Sequence, residues 1–264
     1  MVKKQTTENV IVTTEIKEGE VSCWIVGRTE IVLNRLAEKA KHELLFPGAK
    51  NRGSRALGLK HDPFAEFTAS AHTISDESAP TFLAIPAAAP KRAIASAAID
   101  MPGGAKKAQI GRLCWVPGQC GQYLPLYGKP QLFTCIVRTA DMNHTPDVRT
   151  RVIVPQWAVP LTVKFARPMV NPTVLVNLLT AAGLYIGVGD GRPEKGALTF
   201  GQFRVVTQAK DDAELTEILK QSRKSQIAAM KNPECYDDET EELLGWFNLE
   251  LQKRGKGEMA ERAA

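Results

Sequence analysis

The chain has 264 residues, 44% of them hydrophobic, with a formal net charge of +5 and a pI near 8.9. That is enough apolar content to bury the core of one elaborated domain or two small ones, and enough positive charge to favour a polyanionic partner. No apolar run is long enough to span a bilayer, and the opening Met1-Val2-Lys3-Lys4-Gln5-Thr6-Thr7-Glu8 has no secretory core, so no membrane association is expected.

In chain order, residues 1–20 are expected to be a flexible arm or an edge strand. Val21–Val26 reads as a short strand. Thr29 can cap a helix from Glu30 to about Leu45, whose Ile31, Leu33, Leu36, Ala40 and Leu44 form an approximate helical stripe, stopped by Pro47-Gly48. Residues 48–63 are Gly-rich and basic, hence a loop, and Phe64–Thr73 alternates as a strand. Ala87–Ile99 is Ala-rich and helix-prone, ended by Pro102-Gly103-Gly104. Arg112–Val116 and Gln131–Arg138 read as strands, and 139–150 as a polar connection.

Val159, Leu161, Val163 and Phe165 alternate onto one face of a strand in which Pro160 marks an edge or a start. Asn171-Pro172 opens a helix with an N-cap and a first-turn proline, and Gly183 can end it. Leu184–Val188 and Phe200–Val206 follow as strands, then helices over Asp212–Met230 and Glu239–Arg254, and a frayed tail at 255–264. This order predicts an α+β protein with a ferredoxin-like (RRM-like) antiparallel sheet core over 21–206. It places a large mid-chain insertion at about 74–157 and a helical appendage at 211–254.

Charge is unevenly spread. Leu44–His61 holds four cations (Lys50, Arg52, Arg55, Lys60) and no acid, whereas acids gather at 234–242. The basic loop suits a flexible finger laid along a phosphate backbone, or an ordinary solvated loop. Lys91 and Arg92 open a helix whose N-terminus would welcome a phosphate, or are surface charge on a packed helix. Arg149 and Arg151 share one face of any strand there and precede Trp157, which is either a stacking partner or core.

The densest constellation is Gly187-Val188-Gly189-Asp190-Gly191-Arg192-Pro193-Glu194-Lys195-Gly196, closing on Phe200-Gly201. A strand leads in, but proline follows where a dinucleotide fingerprint needs a helix. It is either a long hairpin loop that needs glycine for positive φ, or a phosphate site built on Gly187, Gly189, Arg192 and Lys195.

Candidates for catalysis are few. His42, His61, His72 and His144 are dispersed, no Gly-x-Ser-x-Gly elbow is present, and Asp141 and Asp147 flank His144 in a polar loop. Cys23, Cys114, Cys120, Cys135 and Cys235 lack paired metal spacing and read as reduced thiols. No cofactor, metal or catalytic residue is expected.

Three segments, Ile31–Lys41, Val137-Arg138 through Trp157, and Gly187–Lys195, resemble a family of tailed-phage proteins across residues 20–206. This chain has Gly191 where that family has tryptophan. The resemblance implies a phage-encoded protein in the cytoplasm of a bacterial host and transfers no activity. A second likeness is architectural. The ferredoxin-like core, Ile85-Pro86 before the basic Lys91-Arg92 helix, and the 187–201 loop look like the RAMP superfamily, which forms the backbone of CRISPR effector complexes. It implies side-by-side assembly along single-stranded RNA.

The expected function is therefore non-enzymatic binding of single-stranded DNA or RNA by an oligomer, in recombination, annealing, protection or guide-like recognition. The alternatives are a protein-interaction module acting through helix 239–253, as a host-defence inhibitor or virion component, and a RAMP-type ribonuclease using His144 or Asp147.

Overall fold

The computed structural model describes residues 14–36, 61–138, 146–195 and 198–253. The strands are β1 (Lys17–Gly27), β2 (Ile31–Leu33), β3 (His72–Thr73), β4 (Leu83–Pro86), β5 (Cys114–Trp115), β6 (Tyr123–Pro125), β7 (Gln131–Arg138), β8 (Pro146–Val154), β9 (Ala158–Arg167) and β10 (Phe203–Val206). The helices are α1 (Pro63–Ser70), α2 (Ala88–Asp100), α3 (Lys107–Leu113), α4 (Pro172–Ala181), α5 (Ala213–Leu219), α6 (Arg223–Lys231) and α7 (Asp238–Lys253). The protein is α+β, with antiparallel pairing throughout its named strands.

The largest sheet runs β10–β1–β9–β5. Strands β1 and β9 pair from Lys17↔Arg167 to Val26↔Ala158. Period-two alternation puts Val21, Cys23, Ile25, Leu161, Val163 and Phe165 on one face, where they share a core with α2 and α4. The buried alanines of α2 (Ala93, Ala95, Ala97, Ala98) let neighbouring elements approach closely. The opposite face is polar at one end, where Lys164 pairs with Glu18 at 2.7 Å and Ser22 meets Thr162 at 3.0 Å. At its other end Leu215 and Ile218 of α5 cover Val26 and Val206, with Trp24 packed beside them. Pro160 sits where β5 no longer reaches, and its carbonyl accepts from Gln119, so the missing N–H faces a local edge.

A second sheet is ordered β2–β8–β7. Strand β2 ends at Leu33, and α1 takes over the uncovered edge of β8. Val152 N donates to Ser70 Oγ at 2.8 Å and Thr150 N to Glu66 Oε2 at 2.9 Å, so backbone groups that would be orphaned are satisfied by a helix. On the far side, residues 234–236 run along β7, with Leu132 N donating to Glu234 O and Tyr236 N to Leu132 O.

Several expectations are corrected. Phe64–Thr73 is mostly helix α1, because Asp62 caps it (Ala65 N to Asp62 Oδ1, 3.0 Å) and Pro63 fixes its first turn. The helix expected from Glu30 is strand at Ile31–Leu33, a buried apolar run paired with β8. Of the arm or edge strand expected at the start, Lys17–Glu20 is strand paired on one side only, with β9, and the connection expected at 139–150 is strand from Pro146. Leu184–Val188 is no strand. Helix α4 continues as a π turn, Ala182–Ile186, and stops at Gly187. Gly187, with φ of +74°, is the helix stop in place of Gly183, where glycine instead makes room for Phe203, whose carbonyl oxygen would lie 2.2 Å from a Cβ. The helix expected over Asp212–Met230 is two, broken at Lys220–Ser222. The segment 74–157 supplies β5 to the largest sheet and α2 to its core. The remainder of the arm, residues 37–60 and the tail from 254 lie outside the described residues.

Candidate nucleic-acid interface

The glycine loop is a packed corner joining three elements. Gly189 and Gly201 have φ of +85° and +73°, and a Cβ would lie 2.8 Å from Val32 O at Gly189 and 1.7 Å from Val188 O at Gly201. Only glycine permits these approaches. Many of the loop's amides are already engaged. Gly187 N donates to Ala182 O, Val188 N to Gly201 O, Asp190 N to Val32 O and Gly201 N to Glu30 O, all between 2.7 and 2.9 Å. The glycines therefore serve the fold, and these amides are turned toward protein carbonyls.

The side chains of the loop carry the charge. Arg192 donates to Glu194 Oε2 through Nε at 3.0 Å and to the Gly189 carbonyl through a terminal nitrogen at 3.0 Å. Glu194 Oε1 accepts from the buried Ser96 Oγ of α2 at 2.6 Å and lies 3.5 Å from Lys107 Nζ of α3. Partial burial pushes the Glu194 carboxyl up, but hydrogen bonds from Ser96 and Arg192 outweigh it and hold the group below its ordinary value. Lys195 is exposed. Arg92 is exposed one turn before Ser96, on the same face of α2. Lys91 instead lines a cleft of about 300 Å³ with Ala88, Gly118, Gly121 and Tyr123. The basic pair at 91 and 92 is thus split.

On its other side the loop meets the second sheet. Asp190 pairs with Arg151 of β8, and Arg149 pairs with Asp147 at 2.9 Å. Arg149 and Arg151 do share a face, standing opposite Cys135 and Phe133 of β7. Phe133 makes edge-to-face contacts with Phe200 (6.0 Å) and Tyr236 (5.5 Å). Tyr236 is oriented by Glu30, 3.0 Å from its hydroxyl, and burial with that hydrogen bond pushes the phenol up to about 12. These half-buried aromatics were missed by sequence reasoning, which selected Trp157. Trp157 is core, fully buried, with Nε1 donating to Thr29 O at 2.8 Å.

Sequence reasoning also missed a cluster at the β8 edge. His61 lies 2.6 Å from Glu66 Oε1 through Nδ1 and 2.9 Å from Asp147 Oδ1 through Nε2. Both ring nitrogens and Asp147 are engaged by protein groups. Among the described residues no group of three His, Cys, Asp or Glu side chains is placed to hold a metal ion. Lys50, Arg52, Arg55, Lys60, Asp141 and His144 lie outside the described residues. The polar end of the largest sheet's second face, with Glu18 and Glu20 around Lys164, is not basic.

Among the described residues no helix is long and apolar enough to cross a membrane. No protein-family model matches the chain, and no curated protein matches it.

Proposed function

We propose that this protein binds single-stranded nucleic acid without chemistry and assembles along it. The observation that carries the reading is the position of the glycine loop, which joins Arg151 through Asp190 and Ser96 and Lys107 through Glu194. Three basic regions separated in sequence become one band: Arg149 and Arg151, then Arg192 and Lys195, then Lys107 with Arg92 one turn from Ser96. The ion pairs within the band are partly exposed and worth little individually, so a phosphate can replace a carboxylate at small cost. The Phe133–Phe200–Tyr236 row beside the arginines offers aromatic surface, and base stacking on such surface contributes about 1–3 kcal/mol per base.

We further infer a ferredoxin-like arrangement for the largest sheet. Taking β1, β5, β9 and β10 as its four strands, the order β10–β1–β9–β5 is 4-1-3-2, with α2 before β5 and α4 between β9 and β10. In this reading the inserted segments are those between β1 and α2 and between β5 and β9. The likeness to the RAMP superfamily remains part of the proposal through this arrangement, and the likeness to tailed-phage proteins through the segments Ile31–Lys41, Val137–Trp157 and Gly187–Lys195.

The test is fluorescence anisotropy of nuclease-treated protein with labelled single-stranded DNA, single-stranded RNA and duplex over a salt series. Single strands should bind best, with log K falling by about 0.7 per neutralised phosphate for each log unit of salt. Replacing Arg149 and Arg151 together with alanine should weaken binding at least tenfold. Absence of binding to all three probes at low salt would sink the proposal.

A further inference from the structure

The cleft lined by Lys91 opens between the first turn of α2, the residues that follow β5 and the turn that enters β6. Its frame is fixed by backbone contacts. Gln119 N and Cys120 N both donate to Tyr123 O at 3.0 Å, Tyr123 N donates to Cys120 O at 3.1 Å, and Ala87 N donates to Gln122 O at 2.9 Å. A Cβ at Gly118 would lie 2.0 Å from Gly121 O, so glycine lets the two arms of the turn close on each other. Ala87, Ala88 and Gly121 carry little or no side chain, and the cleft they border measures about 300 Å³. That is the lower end of the range for small-ligand sites, about 300–1,000 Å³. It suits one nucleotide or a smaller molecule rather than an extended cofactor.

The walls select the class of occupant. Pro86, Val116 and Tyr123 are apolar or aromatic, and Tyr123 is held by a ring contact with His72 at 5.5 Å. Lys91 is the one charged residue of the lining, and no acid accompanies it there. Among the described residues no carboxylate forms an ion pair with Lys91. Lys91 is half-buried, and its charge is felt inside the protein: burial pushes the Cys114 thiol up to about 11, and Lys91 opposes that rise. A half-buried cation beside an apolar wall favours an anionic group attached to an apolar body. A phosphate carried by a nucleoside meets both requirements. The exposed Gln122 adds an amide that can donate to and accept from the edge of a base.

We infer that this cleft binds one nucleoside phosphate, with the phosphate at Lys91 and the base along the Val116–Tyr123 wall. Position ties the cleft to the basic band. Lys91 and Arg92 are successive residues of α2, about 100° apart around the helix, so the cleft opens beside the end of the band that Arg92 marks. A strand that follows the band to Arg92 turns its next nucleotide inward at Lys91. A free nucleotide carries the same chemistry as a residue of a strand. The inference therefore rests on the proposed single-strand binding only for the source of the nucleotide, and the test has an arm for each source.

The first arm is a ligand-observed NMR titration of the full chain, nuclease-treated, with adenosine monophosphate. Binding should fall in the millimolar range, with adenosine and inorganic phosphate each at least tenfold weaker. Lys91→Met keeps the apolar stem and removes the charge; it should weaken adenosine monophosphate at least tenfold and leave adenosine unchanged. Ala88 is exposed and borders the cleft, so Ala88→Leu fills the space from the solvent side. That variant should abolish adenosine monophosphate binding with thermal melting unchanged; if it misfolds, Ala88→Val serves the same purpose. The second arm is anisotropy with a labelled thymidylate strand and an abasic strand of the same length and charge. Ala88→Leu should weaken the thymidylate strand about fivefold and leave the abasic strand unchanged. Adenosine monophosphate that does not bind, or that binds equally to wild type and to both variants, overturns the inference. Equal loss on both strands overturns the placement of the base. Loss on the thymidylate strand alone identifies a strand residue as the occupant, whereas mononucleotide binding lost in both variants with no loss on that strand identifies a free nucleotide. Because the first arm needs no strand, absence of strand binding by the wild type removes the proposed function and leaves the cleft result standing.

Discussion

Ser96 Oγ, buried in α2, donates to Glu194 of the glycine loop at 2.6 Å, although the two residues are 98 positions apart. The same carboxylate pairs with Arg192 and faces Lys107. Glu194 is therefore both the tie that holds the loop to the helix and the anion that occupies the centre of the basic band.

These two roles separate by substitution. Glu194→Gln keeps one oxygen to accept from Ser96, replaces the oxygen that accepts from Arg192 with an amide donor, and removes the charge. Single-strand affinity should rise severalfold at low salt, with a steeper salt slope, as Arg192 and Lys107 lose their carboxylate competitor. Ser96→Ala should instead cost about 1 kcal/mol of stability with little change in salt slope. Anisotropy and urea unfolding of the two variants check the pair of outcomes.

The Arg204–Asp212 pair sets an acid limit for the docking of α5. Asp212 receives Arg204's guanidinium and the Leu215 amide at 2.9 Å, which lower its carboxyl from 3.8 to about 2. A depressed carboxyl contributes stability that is full above its unfolded value and is lost as pH falls through the folded one. The stability gap between wild type and Arg204→Ala should thus be constant above about pH 4 and close toward pH 2. Urea unfolding across that window is the measurement; a gap unchanged at pH 2 contradicts the assignment.

Gln226 is a fully satisfied buried amide. Its Oε1 accepts from Phe82 N and Leu83 N, and its Nε2 donates to Leu126 O and Gly128 O, all between 2.8 and 3.0 Å. Helix α6 is thereby fastened to the third sheet, β3–β4–β6. Gln226→Ala strands four backbone groups and should destabilise by about 3 kcal/mol or more. Gln226→Glu should also be destabilising, because it replaces both donors with acceptors facing carbonyls.

Two glycines with the same φ of +73° should respond differently. At Gly103 a Cβ meets nothing within 4 Å, whereas at Gly201 it meets Val188 O at 1.7 Å. Gly103→Ala should cost about 1 kcal/mol for the left-handed backbone alone, and Gly201→Ala well over 2 kcal/mol. Thermal melting of the two variants side by side separates conformational strain from steric exclusion.

The N-cap-proline signal at Asn171-Pro172 identified α4, and the observed cap is Val174 N to Asn171 Oδ1 at 2.8 Å. The same signal stands at Asp62-Pro63 and was passed over, because the alternating residues that follow also fit a strand. Alternation on β9 and alanine content on α2 were sufficient by themselves, since each element's burial follows its own period. Shared facing of Arg149 and Arg151 was likewise legible, because it needs only the two-residue strand repeat. What depended on the tertiary structure was every long-range pairing. Ile31–Leu33 became strand because β8 offered a ladder, and the helix stop fell at Gly187, with Gly183 making room for Phe203 instead. The glycine loop acquired its ion pairs from Arg151 and Lys107, residues remote in the chain. Local propensity and periodicity act within a few residues, whereas hydrogen-bond satisfaction and charge pairing are settled by which surfaces the core brings together.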